Sequence, residues 1–205
     1  MPDEFSQRAA ELIEAGRFLY QHGWVPATSG NFSARLSNGN LAITVSGRHK
    51  GRLTPDDIML VDSAGKPLDD KRPSAEIQLH VQIYRRYEHI HAVLHPHSVN
   101  ATLLSRLHSH CLVLQDYELL KAFAGIGSHE CQVTVPVFAN DQDISRLAAE
   151  VEKYMNDSHE PIFGYLIAGH GFYTWGRDVE ETLRHIEAFE FLFECEMRLH
   201  GVISP

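Results

Sequence analysis

Two histidines two residues apart, His95 and His97, follow the apolar run Ala92-Val93-Leu94, so His95-Pro96-His97 reads as the end of a buried strand. In extended chain, residues i and i+2 point to the same side. Both imidazoles can therefore reach one ion, which a helix could not arrange at this spacing. Imidazole nitrogen suits zinc, which it binds at about 2.0–2.1 Å. A pair of edge-strand histidines facing water would have the same sequence, so the motif alone leaves both readings open. His170 stands in Gly169-His170-Gly171, between two apolar stretches. Glycine on each side removes side-chain bulk and permits a tight turn. A third imidazole could project from that tip toward the first two, although a plain hairpin with an incidental histidine reads the same way.

Glu76, in Pro73-Ser74-Ala75-Glu76, and Glu118, in Asp116-Tyr117-Glu118-Leu119-Leu120, are the carboxylate candidates. Both fall early in expected helices, where the helix dipole favours a negative charge whatever else the residue does. Beside a metal, either could serve as a further ligand or as a general base. Two loops, Thr28-Ser29-Gly30-Asn31 and Thr44-Val45-Ser46-Gly47-Arg48, combine hydroxyls with glycine. Backbone N–H groups in such turns make concave anion sites. Ser74, just ahead of a helical stretch, would add a hydroxyl and a helix N-terminus. Arg48, Lys50 and Arg52 cluster beside the second loop and suit a small anion better than a polymer.

The elements that must position these residues follow from periodicity and punctuation. Residues 4–22 repeat apolar side chains near helical spacing and stop at Gly23. Asn31 to Leu36 and Leu41 to Ser46 flank Ser37-Asn38-Gly39-Asn40, a strong hairpin signal. Thr54-Pro55 predicts an N-cap with proline at the first helical position, and Ile58 to Val61 a short strand. Helices are expected over 73–86, following His95-Pro96-His97 through Leu104, over 117–123 and 143–154, and from Asp178 to Leu199; strands over 92–94, 111–114, 133–137, 164–168 and 172–175. Helices and strands interleave, yet several strand pairs are hairpin-like. The expected fold is therefore α/β, three layers (α/β/α), with a central mixed, largely antiparallel sheet covered by helices on both faces. In the last helix Val179, Leu183, Ile186, Phe189, Phe193 and Met197 form an apolar stripe, which Phe191, Leu192 and Leu199 widen. Such a stripe fits core packing first and a subunit contact second.

The chain has 205 residues with 43% apolar and 22% charged, which bounds it to one soluble globular domain, 1–205. No apolar run approaches the roughly 20 residues that cross a membrane, and Met1 to Arg8 shows no secretory pattern. A formal charge of −9 argues against a nucleic-acid partner. Three well-separated cysteines without C-x-x-C point to free thiols and a reducing, cytoplasmic setting.

Taken in order, Ser29-Gly30-Asn31, Ser46-Gly47, Ser74-Ala75-Glu76, His95-Pro96-His97 and Gly169-His170-Gly171 resemble the class II aldolase and epimerase superfamily from about residue 8 to 200. That resemblance implies the class II aldolase-like fold and one zinc ion per subunit on His95, His97 and His170. It implies substrate phosphate held around Asn31, Ser46, Gly47 and Ser74, with Arg48 and Lys50 as charge partners, and a homotetramer with sites near subunit boundaries. Ala27-Thr28-Ser29-Gly30-Asn31-Phe32-Ser33, Val45-Ser46-Gly47-Arg48-His49-Lys50-Gly51, Tyr117-Glu118-Leu119-Leu120-Lys121 and Ala168-Gly169-His170-Gly171-Phe172-Tyr173-Thr174-Trp175-Gly176 are more similar to the family's sugar-phosphate dehydratases than to its aldolases. The dehydratase resemblance makes the phosphorylated ketose a substrate that loses water and ranks Glu118 as acid/base ahead of Glu76. The aldolase or 4-epimerase alternative would rank Glu76 first.

Overall fold

Antiparallel pairing builds most of the sheet. The computed structural model describes residues 3–201, so the two ends of the expected domain lie outside the described residues. The elements are α1 (Glu4–Gln21), β1 (Asn31–Arg35), β2 (Leu41–Thr44), β3 (Ile58–Val61), α2 (Ile77–Arg86), β4 (Ala92–His95), α3 (Val99–Leu107), β5 (Cys111–Gln115), β6 (Gln132–Phe138), α4 (Ile144–Asp157), β7 (Gly164–Ile167), β8 (Gly171–Gly176) and α5 (Val179–Leu199). They form an eight-stranded sheet in the order β3-β2-β1-β4-β8-β7-β6-β5. Among the described residues only β6 and β7 pair in parallel; every other strand pair is antiparallel. The Asn38-Gly39 hairpin is present, with Ser33 opposite Ile43.

Each face of the sheet carries its own apolar core. On one face α1, α3 and α5 pack Leu12, Leu19, Leu104, Phe189 and Phe193 against Phe32, Leu94 and Phe172. On the other, α2 and α4 pack Leu79, Val81, Leu147 and Val151 against Val93, Tyr165, Tyr173 and Trp175. The α5 stripe is core: Val179, Ile186, Phe189, Phe193 and Met197 are buried, whereas Phe191 and Leu199 stay exposed. A fully buried side chain of this size contributes roughly 1.5–3 kcal/mol, so the stripe alone anchors α5 firmly. Its N-terminus is capped by Asp178, which accepts from the Glu181 amide at 2.7 Å.

Two expected helices come out shorter. The helix expected over 73–86 starts at Ile77, because the residues before it belong to the sheet edge: Pro73 bridges Val45, and the Ser46 amide donates to the Arg72 carbonyl at 3.0 Å. Residues 117–123 give only a 3-10 turn, Glu118–Ala122. Among the described residues no helix is long and apolar enough to cross a membrane.

Candidate active site

Strand direction gathers the three histidines. β4 runs antiparallel to both β1 and β8, so its C-terminal end meets their N-terminal ends. His95 closes β4 opposite Asn31, the first residue of β1, and His97 follows just beyond. The tight connection between β7 and β8 carries His170 over the same end of the sheet. Its tip is pinned to α3: the Gly169 amide donates to Ser105 Oγ at 2.9 Å, and Thr102 Oγ1 donates to the His170 carbonyl at 3.1 Å. Gly171 permits the close approach, since a Cβ there would lie 2.4 Å from the Pro96 carbonyl oxygen and 3.0 Å from the His97 ring.

The ligand atoms of His95, His97 and His170 all lie within 4.8 Å of one another. His95 Nδ1 donates to the Phe172 carbonyl at 2.8 Å, which leaves Nε2 as a bare lone pair facing His97 Nε2 at 2.8 Å. Burial, then the neighbouring imidazoles, hold His95 well below its usual pKa; the same causes push His97 down to about 2. Neutral imidazoles with converging lone pairs are what a metal requires. The Glu76 carboxylate completes the cluster, with Oε2 3.5 Å from His95 Nε2 and Oε1 3.7 Å from His170 Nε2. This donor set fits a divalent cation, which satisfies facing lone pairs and a carboxylate together. Glu76 stands at the start of α2 but makes no capping bond; Asn31 Nδ2 donates to its Oε2 at 2.7 Å and turns it inward.

Beside the histidines lies a hollow of about 280 Å³, lined by both expected anion loops together with Lys50, Ser74, Glu76 and His97. Asn31, Ser46, Gly47, Ser74 and Lys50 therefore share one hollow with the histidine cluster. Gly47 has φ +73, a backbone conformation that a side chain strains, while a Cβ there would meet nothing within 4 Å. Its glycine requirement is conformational: the strain comes from φ, not from contact with another part of the chain. Lys50 is buried, and its Nζ donates to the Thr28 carbonyl at 3.1 Å and the Arg48 carbonyl at 2.7 Å. An ammonium has three N–H donors, so one remains for a ligand. Burial pushes the Lys50 ammonium down to about 8, against the opposing pull of Asp57.

Two expected residues are not brought to the hollow of their own chain. Arg48 pairs instead with Asp57 at 3.1 Å. Glu118 has a 74% exposed side chain and pairs with Lys121 at 2.6 Å; that hydrogen bond and charge hold its carboxyl below the usual range. Conversely, sequence reasoning passed over Tyr173, whose ring stacks on His95 at 3.9 Å and 10°. No local pattern marks it, because the pairing of β8 with β4 that brings it to His95 is a long-range contact. His80, Ser33 and Tyr84, buried polar residues behind Asn31, were passed over too.

A family model described as the class II aldolase and adducin N-terminal domain matches residues 10–197. The chain is 65% identical to the methylthioribulose-1-phosphate dehydratase of Methylococcus capsulatus over 199 residues, 97% of each chain. It is 57% identical to the enzyme of that name from Azotobacter vinelandii, over 96% of each. Among solved structures, L-fuculose-1-phosphate aldolase from Thermus thermophilus superposes with a TM-score of 0.76 at 27% identity, over 98% of both chains.

Proposed function

The chain belongs to the class II aldolase and adducin family, and on that premise we propose that it is a hydro-lyase that dehydrates 5-methylthioribulose 1-phosphate to 2,3-diketo-5-methylthiopentyl 1-phosphate, a step of methionine salvage. One observation carries the reading. A single carboxylate, Glu76, joins a three-histidine cluster to a hollow lined by hydroxyls, glycines and Lys50 that suits an anion, in a chain 65% identical to a dehydratase of that name. The enzyme is a cytoplasmic homotetramer with one zinc ion per subunit, on His95, His97 and His170.

The substrate has a ketone at C2 and hydroxyls at C3 and C4. Zinc, when bound, supplies a Lewis acid for the ketone oxygen. The hydrogen on C3 is acidic because it neighbours that carbonyl, and Glu118 removes it as general base. Electrons from the broken C–H bond pass to the C2 oxygen; when they return, a C3–C4 double bond forms and the C4 hydroxyl leaves. Glu118 returns its proton to the departing hydroxyl, so water is released. The remaining enol tautomerises to the diketone. Glu118 is exposed on its own chain beside the exposed Leu119, and in this reading it serves the hollow of a neighbouring subunit. Glu76 stands against the cluster from within the chain and orders the groups there. Ser46, Gly47, Ser74 and Lys50 hold the phosphate, with Arg48 as an outer charge. Asn31 lines the same hollow but commits its amide to Glu76.

The phosphate assignment has a pH signature. Lys50 is cationic below about 8 and loses its proton above it. A bound phosphate dianion favours the charged form, so KM should rise as pH climbs through about 8, with kcat less affected. A charge-assisted hydrogen bond contributes about 1.5–3 kcal/mol, so Lys50→Met should raise KM by about tenfold or more and flatten that rise. KM measured against pH for both proteins checks it; an identical slope in Lys50→Met removes the ammonium from the phosphate site. A panel of ketoses with and without the phosphate tests the functional reading as a whole. Turnover should be confined to phosphorylated ketoses, and equal handling of a dephosphorylated one would contradict it.

A further inference from the structure

A buried chain of hydrogen bonds runs from the interior of the sheet to the Glu76 carboxylate, and donor and acceptor chemistry fixes its direction. Asn31 and Ser33 lie two apart on β1; His80 and Tyr84 lie four apart on α2. None of the four is more than 5% exposed. The Tyr84 hydroxyl lies 2.8 Å from Ser33 Oγ and 3.0 Å from the Ser33 carbonyl oxygen. Ser33 Oγ lies 2.7 Å from His80 Nδ1. His80 Nε2 bonds Asn31 Oδ1, and Asn31 Nδ2 donates to Glu76 Oε2 at 2.7 Å.

The direction follows residue by residue. An amide nitrogen only donates and an amide oxygen only accepts. With Asn31 Nδ2 on the carboxylate, its Oδ1 must accept from His80, so His80 carries its proton on Nε2. Burial lowers the His80 pKa to about 4, so the ring is neutral near physiological pH and its Nδ1 is a lone pair. That lone pair accepts the Ser33 hydroxyl proton, and Tyr84 donates to the Ser33 carbonyl oxygen at 3.0 Å. From Ser33 through His80 and Asn31, every donor therefore points toward Glu76. The ring cannot easily turn over, because its edge packs on Tyr173 at 5.5 Å and 77°, and Tyr173 in turn stacks on His95.

We infer that His80 is a positioning residue, which acts through Asn31 to pin one oxygen of Glu76 and so presents the other to His170 and the hollow. Its catalytic consequence rests on the dehydratase reading; its structural consequence does not. A polar group satisfied merely for burial would fill the same space, but it would not need this tautomer and would leave the site indifferent to its loss.

The test has an arm that needs no substrate. In the zinc-loaded protein with isotope-labelled histidine, the nitrogen chemical shifts of His80, assigned by their loss in His80→Gln, should report the Nε2–H tautomer. The Nδ1–H tautomer would overturn the inference. In kinetics, His80→Leu should lower kcat by about 10–100-fold, the usual cost of losing a residue that orients a site group. KM should stay essentially unchanged, and competition with a chelator should show weaker zinc binding. His80→Gln, whose amide can still donate to Asn31 Oδ1, should recover most of both losses. Equal impairment of the two variants, or an effect on KM alone, would overturn the positioning role. Should His80→Leu fail to fold, Ser33→Ala removes only the hydroxyl that pairs with His80 Nδ1, while Asn31 Oδ1 still demands a proton on Nε2. It should keep the Nε2–H tautomer and show a smaller fall in kcat than His80→Leu; a switch to the Nδ1–H tautomer, or an unchanged kcat, would count against the chain. A wild-type protein that does not dehydrate the substrate defeats the functional reading alone, since the tautomer and zinc-affinity measurements still judge His80.

Discussion

Alanine at His95, His97 or His170 is expected to strip the protein of bound metal and of turnover, while leaving it folded. Their ligand atoms lie within 4.8 Å of one another, so each supplies a share of the site that no neighbour can replace. Lewis-acid stabilisation is worth several kcal/mol, and each 1.36 kcal/mol is tenfold in rate, so turnover should fall by at least about 10³-fold. The fold should survive because the site sits at the rim of the sheet, not within either apolar core. His95→Ala is the severest of the three for stability: its ring is fully buried between Tyr173 and the other imidazoles, and its loss orphans the Phe172 carbonyl. Metal content by elemental analysis, circular dichroism and turnover on the same preparations check this. Full metal occupancy with normal turnover in any one variant would remove that residue from the site.

Glu118→Gln is expected to lower turnover by about 10²–10⁴-fold, the usual contribution of a general acid/base group, with metal still bound. Glutamine keeps the shape and can hydrogen-bond, but it cannot accept the C3 proton. The same substitution at Glu76 acts on a different link. Glu76 lies 3.5 Å from His95 and 3.7 Å from His170, so Glu76→Gln should disturb metal affinity as well as rate. The two variants must be compared at equal metal content, because a weakened site imitates a missing base. Mixing inactive Glu118→Gln with inactive His97→Ala adds a further check. If Glu118 serves a neighbouring subunit, mixed oligomers should regain activity that neither parent has. Near-normal dehydration by Glu118→Gln with an inactive Glu76→Gln would transfer the base role to Glu76.

Both outcomes bear on what the sequence could convey. Local patterns carried the strands, the hairpin and the layered sheet, because alternation and turn residues act over a few positions. Local spacing put His95 and His97 at one strand end and paired glycines put His170 at a turn, but each motif alone left its plain reading open, and only the family resemblance joined the three into one cluster. The start of α2 was misplaced, because the residues ahead of it are held by a bridge to Val45, a long-range contact that helix periodicity does not encode. The role of Asn31 was only half visible. Its neighbours in sequence suggest an anion loop, and it does line the hollow, but its amide is taken by Glu76 and His80. His80 and Tyr84 stand at helical spacing among apolar residues, and only the packing of α2 against β1 reveals that they face Asn31 and Ser33. Glu118 is the complementary case: the pattern that ranks it first lies in its sequence neighbourhood, and a single chain leaves it outside its own hollow.

The most direct measurement is the mass of the product formed when the zinc-loaded protein is incubated with 5-methylthioribulose 1-phosphate. The account predicts one product, lighter than the substrate by a single water and with its carbon skeleton intact. Two smaller fragments, from cleavage of a carbon–carbon bond, or a product of unchanged mass with one inverted centre, would contradict it.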